Sequence, residues 1–166
     1  MCGIIAYCGV RTAEPILLDG LKRLEYRGYD SSGLAVADHM KLTVIRSVGK
    51  VSDLEKKSRG QTLAGNYGIA HTRWATHGRP SEQNAHPHSD CQAKISIVHN
   101  GIIENYQDLK EELIDKKHVF TSETDSEVVA HPIEEYFSGD LEMAVLKTVK
   151  RLEGTFGLAE IGRAHV

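Results

Sequence analysis

Apolar positions along the chain alternate between two spacings. Residues 2–8 form a short run rich in β-formers and predict a buried opening strand. Residues 12–26 follow helical spacing. Ile16, Leu17, Leu21 and Leu24 share one face, Thr12 can cap the start, and Pro15 falls in the first turn, where proline is tolerated. A loop, Tyr26-Arg27-Gly28-Tyr29-Asp30, comes next. Strands are then predicted over 33–37 and 42–47, a short helix over 52–57, and strands over 67–72 and 94–98. Between these last two strands, residues 73–91 are polar and hold two prolines and three histidines. A loop of that length inside a domain is uncommon and usually functional.

The second half is mostly helical. One helix is predicted over 105–116, with Leu109, Leu113 and Ile114 on one side. Thr124-Asp125-Ser126-Glu127 has the capping-box pattern and predicts a helix start at about Asp125. Pro132 would lie inside that helix, where proline costs about 3 kcal/mol or bends the axis. A third helix covers 140–152, with Ala144, Val145, Val149 and Leu152 inward, and a strand follows over 157–161. This order predicts an α+β domain of αββα layering with mostly antiparallel sheet. Residues 161–166 do not read as a strand. Their codons can spell a common sequencing adaptor, so they are read as a non-native tail on a truncated fragment.

Composition narrows the function classes. At 166 residues the chain is one domain's worth, and 40% hydrophobic with 26% charged residues excludes a disordered chain. Twenty basic against 23 acidic residues leave a net charge of −3, with no basic footprint for nucleic acid or anionic lipid. No apolar run is long enough to span a membrane, and no signal peptide is recognised. Cys2, Cys8 and Cys91 are too few, and odd in number, for a disulfide framework, so a reducing cytoplasm is the expected setting.

Several residues are chemically suggestive, each beside an ordinary reading. Loss of Met1 would place a thiol and a free α-amine on the Cα of Cys2. An α-amine, with a pKa of about 7.7–8.0, can take the thiol's proton and return it to a leaving group. The ordinary reading is a small hydrophobe opening a strand. His99-Asn100-Gly101 can supply an oxyanion hole from a side-chain amide and a backbone N–H, but Asn-Gly is also the commonest hairpin turn, the favoured reading on spacing alone. Arg73 can grip a carboxylate or stack on Trp74. Asp125 can receive an ammonium or complement a helix dipole. His71, His77, His86, His88 and His99 match no metal-ligand spacing and Cys91 stands unaccompanied, so no metal is expected.

Taken together, Met1-Cys2-Gly3-Ile4-Ile5, Leu24-Glu25-Tyr26-Arg27-Gly28-Tyr29-Asp30-Ser31, the run from Ala70 to Gly78, Asn84-Ala85-His86-Pro87-His88, the run from Val98 to Asn105, and Ser122-Glu123-Thr124-Asp125 resemble the class II glutamine amidotransferases. Among these they are most similar to the glutaminase domains of glutamine–fructose-6-phosphate aminotransferases (isomerising). The resemblance implies an N-terminal-nucleophile (Ntn) hydrolase fold, two antiparallel sheets between helical layers. It implies Cys2 as nucleophile with its own α-amine as proton shuttle, and Asn100 and Gly101 as oxyanion hole. Arg73 would hold the glutamine carboxylate and Asp125 its ammonium. Trp74, Thr76 and His77 would belong to a closing loop, and Arg27 would help position the nucleophile. The implied reaction is hydrolysis of L-glutamine through a thioester, without metal or organic cofactor. Its ammonia would pass to a sugar-phosphate synthase domain and aminate fructose 6-phosphate to glucosamine 6-phosphate, in an enzyme that is a homo-oligomer as a whole. Another class II amidotransferase, or another N-terminal-nucleophile amidohydrolase, is the alternative.

Against that pattern residues 1–160 make a shortened glutaminase domain that lacks its C-terminal strands, and the synthase domain is absent. Pro132 stands where the family carries an ordinary helix former.

Overall fold

Two antiparallel sheets lie face to face between helices in the computed structural model, which describes residues 2–38, 41–61, 63–74 and 78–162. The first sheet contains β1 (Gly3–Cys8), β2 (Ser31–Ala37), β3 (Leu42–Val48) and β4 (Tyr67–Arg73) in the order β1-β4-β2-β3. The second contains β5 (His88–Ser89), β6 (Ile95–Ile103) and β7 (Gly154–Gly162) in the order β5-β6-β7. Helices α1 (Ala13–Leu24) and α2 (Val51–Ser58) pack on the first sheet, and α3 (Tyr106–Asp115), α4 (Ala130–Tyr136) and α5 (Leu141–Val149) on the second. This is the αββα layering expected from the order of elements.

The alternation of side chains along a strand explains the layers. β2 is buried throughout: Leu34 and Val36 face the helices, where they meet Leu17, Leu21 and Leu54, while Ala35 and Ala37 face the other sheet. There they join Ile69 of β4, Val98 of β6 and Ile161 of β7 in the layer between the sheets. On the outer face of the second sheet, Ile95, Ile97 and Ile103 pack against Leu109, Val128, Val129, Ile133 and Leu141.

Several expectations are corrected. Thr12 does not cap α1 with its side chain; the first helical N–H, of Ala13, donates to the Gly65 carbonyl instead, at 2.9 Å. β6 does not end at 98 but runs on through His99-Asn100-Gly101 to Ile103, paired with β7 (Asn100 opposite Gly157, Gly101 opposite Phe156). The Asn-Gly pair is thus no hairpin turn; the partner strand supplies the ladder that local propensity did not foresee. The capping-box pattern at 124–127 does not form a box. Glu127 reaches back to Thr121 and Ser122, and the chain makes a 3₁₀ turn over Ser126–Val129 before α4 begins. Pro132 falls in the first turn of α4, where its missing N–H is no loss. Ile114 and Val149 are exposed, because Leu113 and Thr148 take the inward positions beside them. The last strand starts earlier than 157 and runs one residue past 161: β7 pairs Ile161 and Gly162 with Ser96 and Ile95, and Ile161, read also as the start of a non-native tail, is buried between the sheets. Two-residue β5 was not expected. Among the described residues no helix is long and apolar enough to cross a membrane.

Candidate active site

Strand register sets the first group of residues. Gly3 pairs with Thr72, so Cys2 lies beside the end of β4, where Arg73 and Trp74 leave the sheet. The Trp74 N–H donates to Cys2 Sγ at 3.2 Å, and the thiol reaches the Trp74 carbonyl at 3.6 Å. Arg73 is buried; its Nη2 donates to the Gly78 carbonyl at 3.0 Å and its Nη1 lies 3.6 Å from the Asp30 carboxylate. The Asp30 N–H in turn donates to the Arg73 carbonyl at 2.8 Å, tying the loop before β2 to the end of β4. Gly28, at φ +93°, supports the Trp74 ring: a Cβ there would sit 2.2 Å from the indole. That turn carries Arg27 to the same place.

The second sheet supplies the facing group. Asn100 and Gly101 lie midway along β6, and Gly101, at φ +128°, turns the backbone where a side chain would strike the Thr155 carbonyl at 2.2 Å. Asn100 Oδ1 lies 2.8 Å from His71 Nε2, across the two sheets. His71 is fully buried, and burial pushes its pKa down from 6.5 to about 4, so the imidazole is neutral near pH 7. With the proton on Nε2 it donates to Oδ1, and both amide protons of Asn100 are left for another acceptor.

His71 belongs to a buried group. Its ring lies 4.1 Å from that of His86, which lies 4.6 Å from His88 and 6.4 Å from His99. Burial holds His86 and His88 well below the ordinary imidazole pKa and lowers that of His99. Gly33 admits this segment, since a Cβ on it would meet the His86 carbonyl at 2.1 Å.

Asp125 is placed by a polar network. Its Oδ2 accepts the Ile103 N–H at 2.9 Å, which fixes it to the end of β6. Neighbouring Thr124 Oγ1 lies 3.0 Å from His88 Nε2, Ser126 Oγ 2.8 Å from His99 Nδ1, and Ser122 Oγ donates to Glu127 Oε2 at 2.6 Å. Asn84 fastens the other side: its Oδ1 accepts the Glu123 N–H at 2.9 Å and its Nδ2 donates to the Arg79 carbonyl at 2.9 Å.

One cavity of about 430 Å³ unites these groups. Cys2, Arg27, Arg73, Trp74, Asn100, Gly101 and Asp125 line it together with His86, His99, Ile102, Thr124 and Ser126. Thr76 and His77 lie outside the described residues. The sequence reading missed the last five, as well as the supporting roles of His71 and Asn84. Their only signal was membership of the quoted strings, because no spacing marks a residue that acts from another element. The cavity places a thiol opposite an Asn–Gly pair, with one buried cation and one buried anion on its wall. That set can bind a small zwitterion and attack a carbonyl.

Residues 71–165 match the family model described as a glutamine amidotransferase domain. The chain is 53% identical to a glutamine–fructose-6-phosphate aminotransferase (isomerising) of Pyrococcus horikoshii over 95% of its length, and 53% identical to the one of Aquifex aeolicus over 97%. It spans about a quarter (27%) of the length of either relative. Among solved structures it resembles the glutamine phosphoribosylpyrophosphate amidotransferase of B. subtilis, with a TM-score of 0.83 at 24% identity, over 98% of this chain and 35% of that one. A glutamine aminotransferase class-II domain protein from Silicibacter pomeroyi superposes with a TM-score of 0.63 at 16% identity, over 98% of this chain and 73% of that one. These two likenesses show the fold, that of the N-terminal-nucleophile hydrolases. With its family model matched over more than half its length, the chain belongs to the glutamine amidotransferase domain family.

Proposed function

We propose that this chain is a glutaminase, in which Cys2 hydrolyses the side-chain amide of L-glutamine. One observation carries the reading: a single cavity is lined by the Cys2 thiol, the Asn100–Gly101 pair, Arg73 and Asp125. Arg73 binds the α-carboxylate and Asp125 the α-ammonium, so the two charges read the ends of a zwitterion. Trp74 lines the pocket for the bound amino acid, and Arg27 helps position the nucleophile.

With Met1 removed, the α-amine of Cys2 takes the thiol proton and sulfur attacks the glutamine Cδ. The carbonyl π pair moves to oxygen, where the Asn100 amide and the Gly101 N–H hold the oxyanion. As the C=O re-forms, the C–N bond breaks, the amine's proton goes to the departing nitrogen, and ammonia leaves a γ-glutamyl thioester. Water then adds to the thioester, its proton taken by the same amine and returned to the thiolate, and glutamate departs. The relatives' name supports a destination for the ammonia: fructose 6-phosphate in a synthase domain of the full-length enzyme, forming glucosamine 6-phosphate.

The test starts from a folded sample whose intact mass shows loss of Met1. Glutamate and ammonia should form from glutamine, a glutamine-derived electrophile should add its mass to Cys2, and Cys2→Ala should abolish both. A folded sample without Met1 that releases no glutamate and leaves Cys2 unlabelled overturns the reading.

A further inference from the structure

None of the residues lining the cavity around Cys2 is Cys91, His118, His131 or Glu134, yet these four side chains converge. Cys91 comes from the turn after β5, His118 from the segment after α3, and His131 and Glu134 from α4. Their donor atoms all lie within 4.8 Å of one another, the one group of its kind among the described residues. Cys91 Sγ is 3.4 Å from His118 Nδ1 and 3.5 Å from His131 Nδ1. Glu134 Oε2 is 3.3 Å from His118 Nδ1 and 3.9 Å from His131 Nδ1.

We propose that Cys91, His118, His131 and Glu134 form a structural site for a divalent transition-metal ion, zinc by preference. Bond lengths of about 2.3 Å to sulfur and about 2.0–2.1 Å to nitrogen put tetrahedral edges near 3.5 Å for S···N and near 3.3 Å for N···N or N···O. Three of the four distances match those edges, and the fourth needs a shift of about half an ångström. A thiolate and a carboxylate carry two negative charges, which a divalent ion neutralises. Thiolate and imidazole donors select zinc over magnesium or calcium. Four protein ligands close the coordination sphere, the pattern of a structural rather than a catalytic site.

The surroundings hold the donors in place. The Val119 N–H points at Cys91 Sγ at 3.5 Å, as amides do toward metal thiolates. Glu135 Oε1 lies 3.6 Å from His118 Nε2, so a carboxylate stands behind that imidazole, itself paired with Lys116 at 2.9 Å. Gln92 Nε2 donates to Glu134 Oε1 at 3.1 Å, and the Cys91 N–H donates to Oε2 at 3.2 Å and holds that oxygen at the cluster. Asp90 Oδ1 accepts the N–H groups of Lys94 and Ile95 at 2.7 and 2.8 Å, which shapes the turn that presents Cys91. An ion here would clasp this turn to α4 and close the loop between His118 and His131, the loop that holds Asp125. The unaccompanied Cys91 of the sequence reading gains its partners only through tertiary packing.

The test uses the full chain, purified without a polyhistidine tag, and none of its readouts depends on glutaminase activity. Zinc added to metal-free protein should bind at a single equivalent per chain, raise Tm and slow amide exchange across residues 119–127. Cobalt(II) in its place should give the intense visible bands of a tetrahedral ion with a thiolate charge-transfer band. Cys91→Ser should remove that charge-transfer band, whereas Cys2→Ala should keep it. Glu135→Gln, with all four ligands intact, should weaken zinc about 10- to 100-fold. Folded wild-type protein that takes up no zinc, or that binds it with equal affinity after Cys91→Ser and after His118→Gln, overturns the proposal; equal binding would mean the metal sits on other histidines.

Discussion

His71 Nε2 lies 2.8 Å from Asn100 Oδ1, joining β4 of one sheet to β6 of the other at the point where the oxyanion would form. The contact orients an amide that is otherwise free to flip. In the proposed mechanism His71, which does not line the cavity, is a positioning residue that would act through Asn100.

Asn100→Ala should lower kcat for glutamine hydrolysis about 10²- to 10³-fold, as loss of an oxyanion donor does. His71→Ala should lower kcat about 10-fold while KM changes little, since it disturbs the aim of a donor used chiefly in the transition state. In the double variant the two losses should not multiply, because they act through one amide. Steady-state kinetics on all three proteins checks this; multiplicative losses would separate His71 from the oxyanion hole.

Arg73 and Asp125 should control substrate recognition. Arg73→Ala removes a charge-assisted contact worth about 1.5–3 kcal/mol, so kcat/KM for glutamine should fall about 10- to 150-fold. An amide substrate that lacks the α-carboxylate should lose little. Asp125→Asn retains an acceptor for the Ile103 N–H while removing the charge, so a rise in KM for glutamine without loss of folding is expected. Equal losses for substrates with and without the α-carboxylate would contradict the pairing of Arg73 with that group.

Stability should fall in mild acid. His71 titrates at about 4 in the folded chain against 6.5 for the free imidazole. Between those two values the unfolded chain binds a proton that the folded chain refuses, so unfolding gains as pH drops and the effect is absent above about pH 7. His71 alone corresponds to a loss on the order of 3 kcal/mol across that window. The lowered His86, His88 and His99 act in the same direction. Urea midpoints between about pH 8 and pH 5 measure it; a flat profile would mean that these rings take up protons as readily in the fold as in the unfolded chain.

Gly33→Ala should destabilise the chain by about 1–3 kcal/mol, because its Cβ would meet the His86 carbonyl at 2.1 Å and no flexible side chain can yield there. Chemical denaturation gives the value. A neutral result would mean that the segment around His86 shifts freely away from β2.

Much of the fold was legible wherever burial is periodic. Leu17 and Leu21 announced α1, and the short, largely apolar segments 33–37 and 67–72 announced the two strands at the centre of the first sheet. Legibility failed where a long-range partner overrode a local signal. Asn100-Gly101 looks like a turn until β7 pairs with it, and Thr124-to-Glu127 looks like a capping box until Glu127 is drawn to Ser122. Cys2, Arg73 and Asp125 were individually ambiguous, because what unites them is an inter-strand register and a cavity rather than any spacing in the chain. The supporting role of His71 and the partners of Cys91 were hidden in sequence for the same reason.

The small side chains of Ala35 and Ala37 between the sheets have a further consequence. Cys2 and Arg73 belong to one slab of the sandwich, Asn100 and Gly101 to the other, so the gap from the proposed nucleophile to the proposed oxyanion donors is gauged by the thickness of that filling. A methyl group added at Ala35, remote from any reacting atom, would wedge the slabs apart and detune the chemistry while leaving each half of the machinery intact.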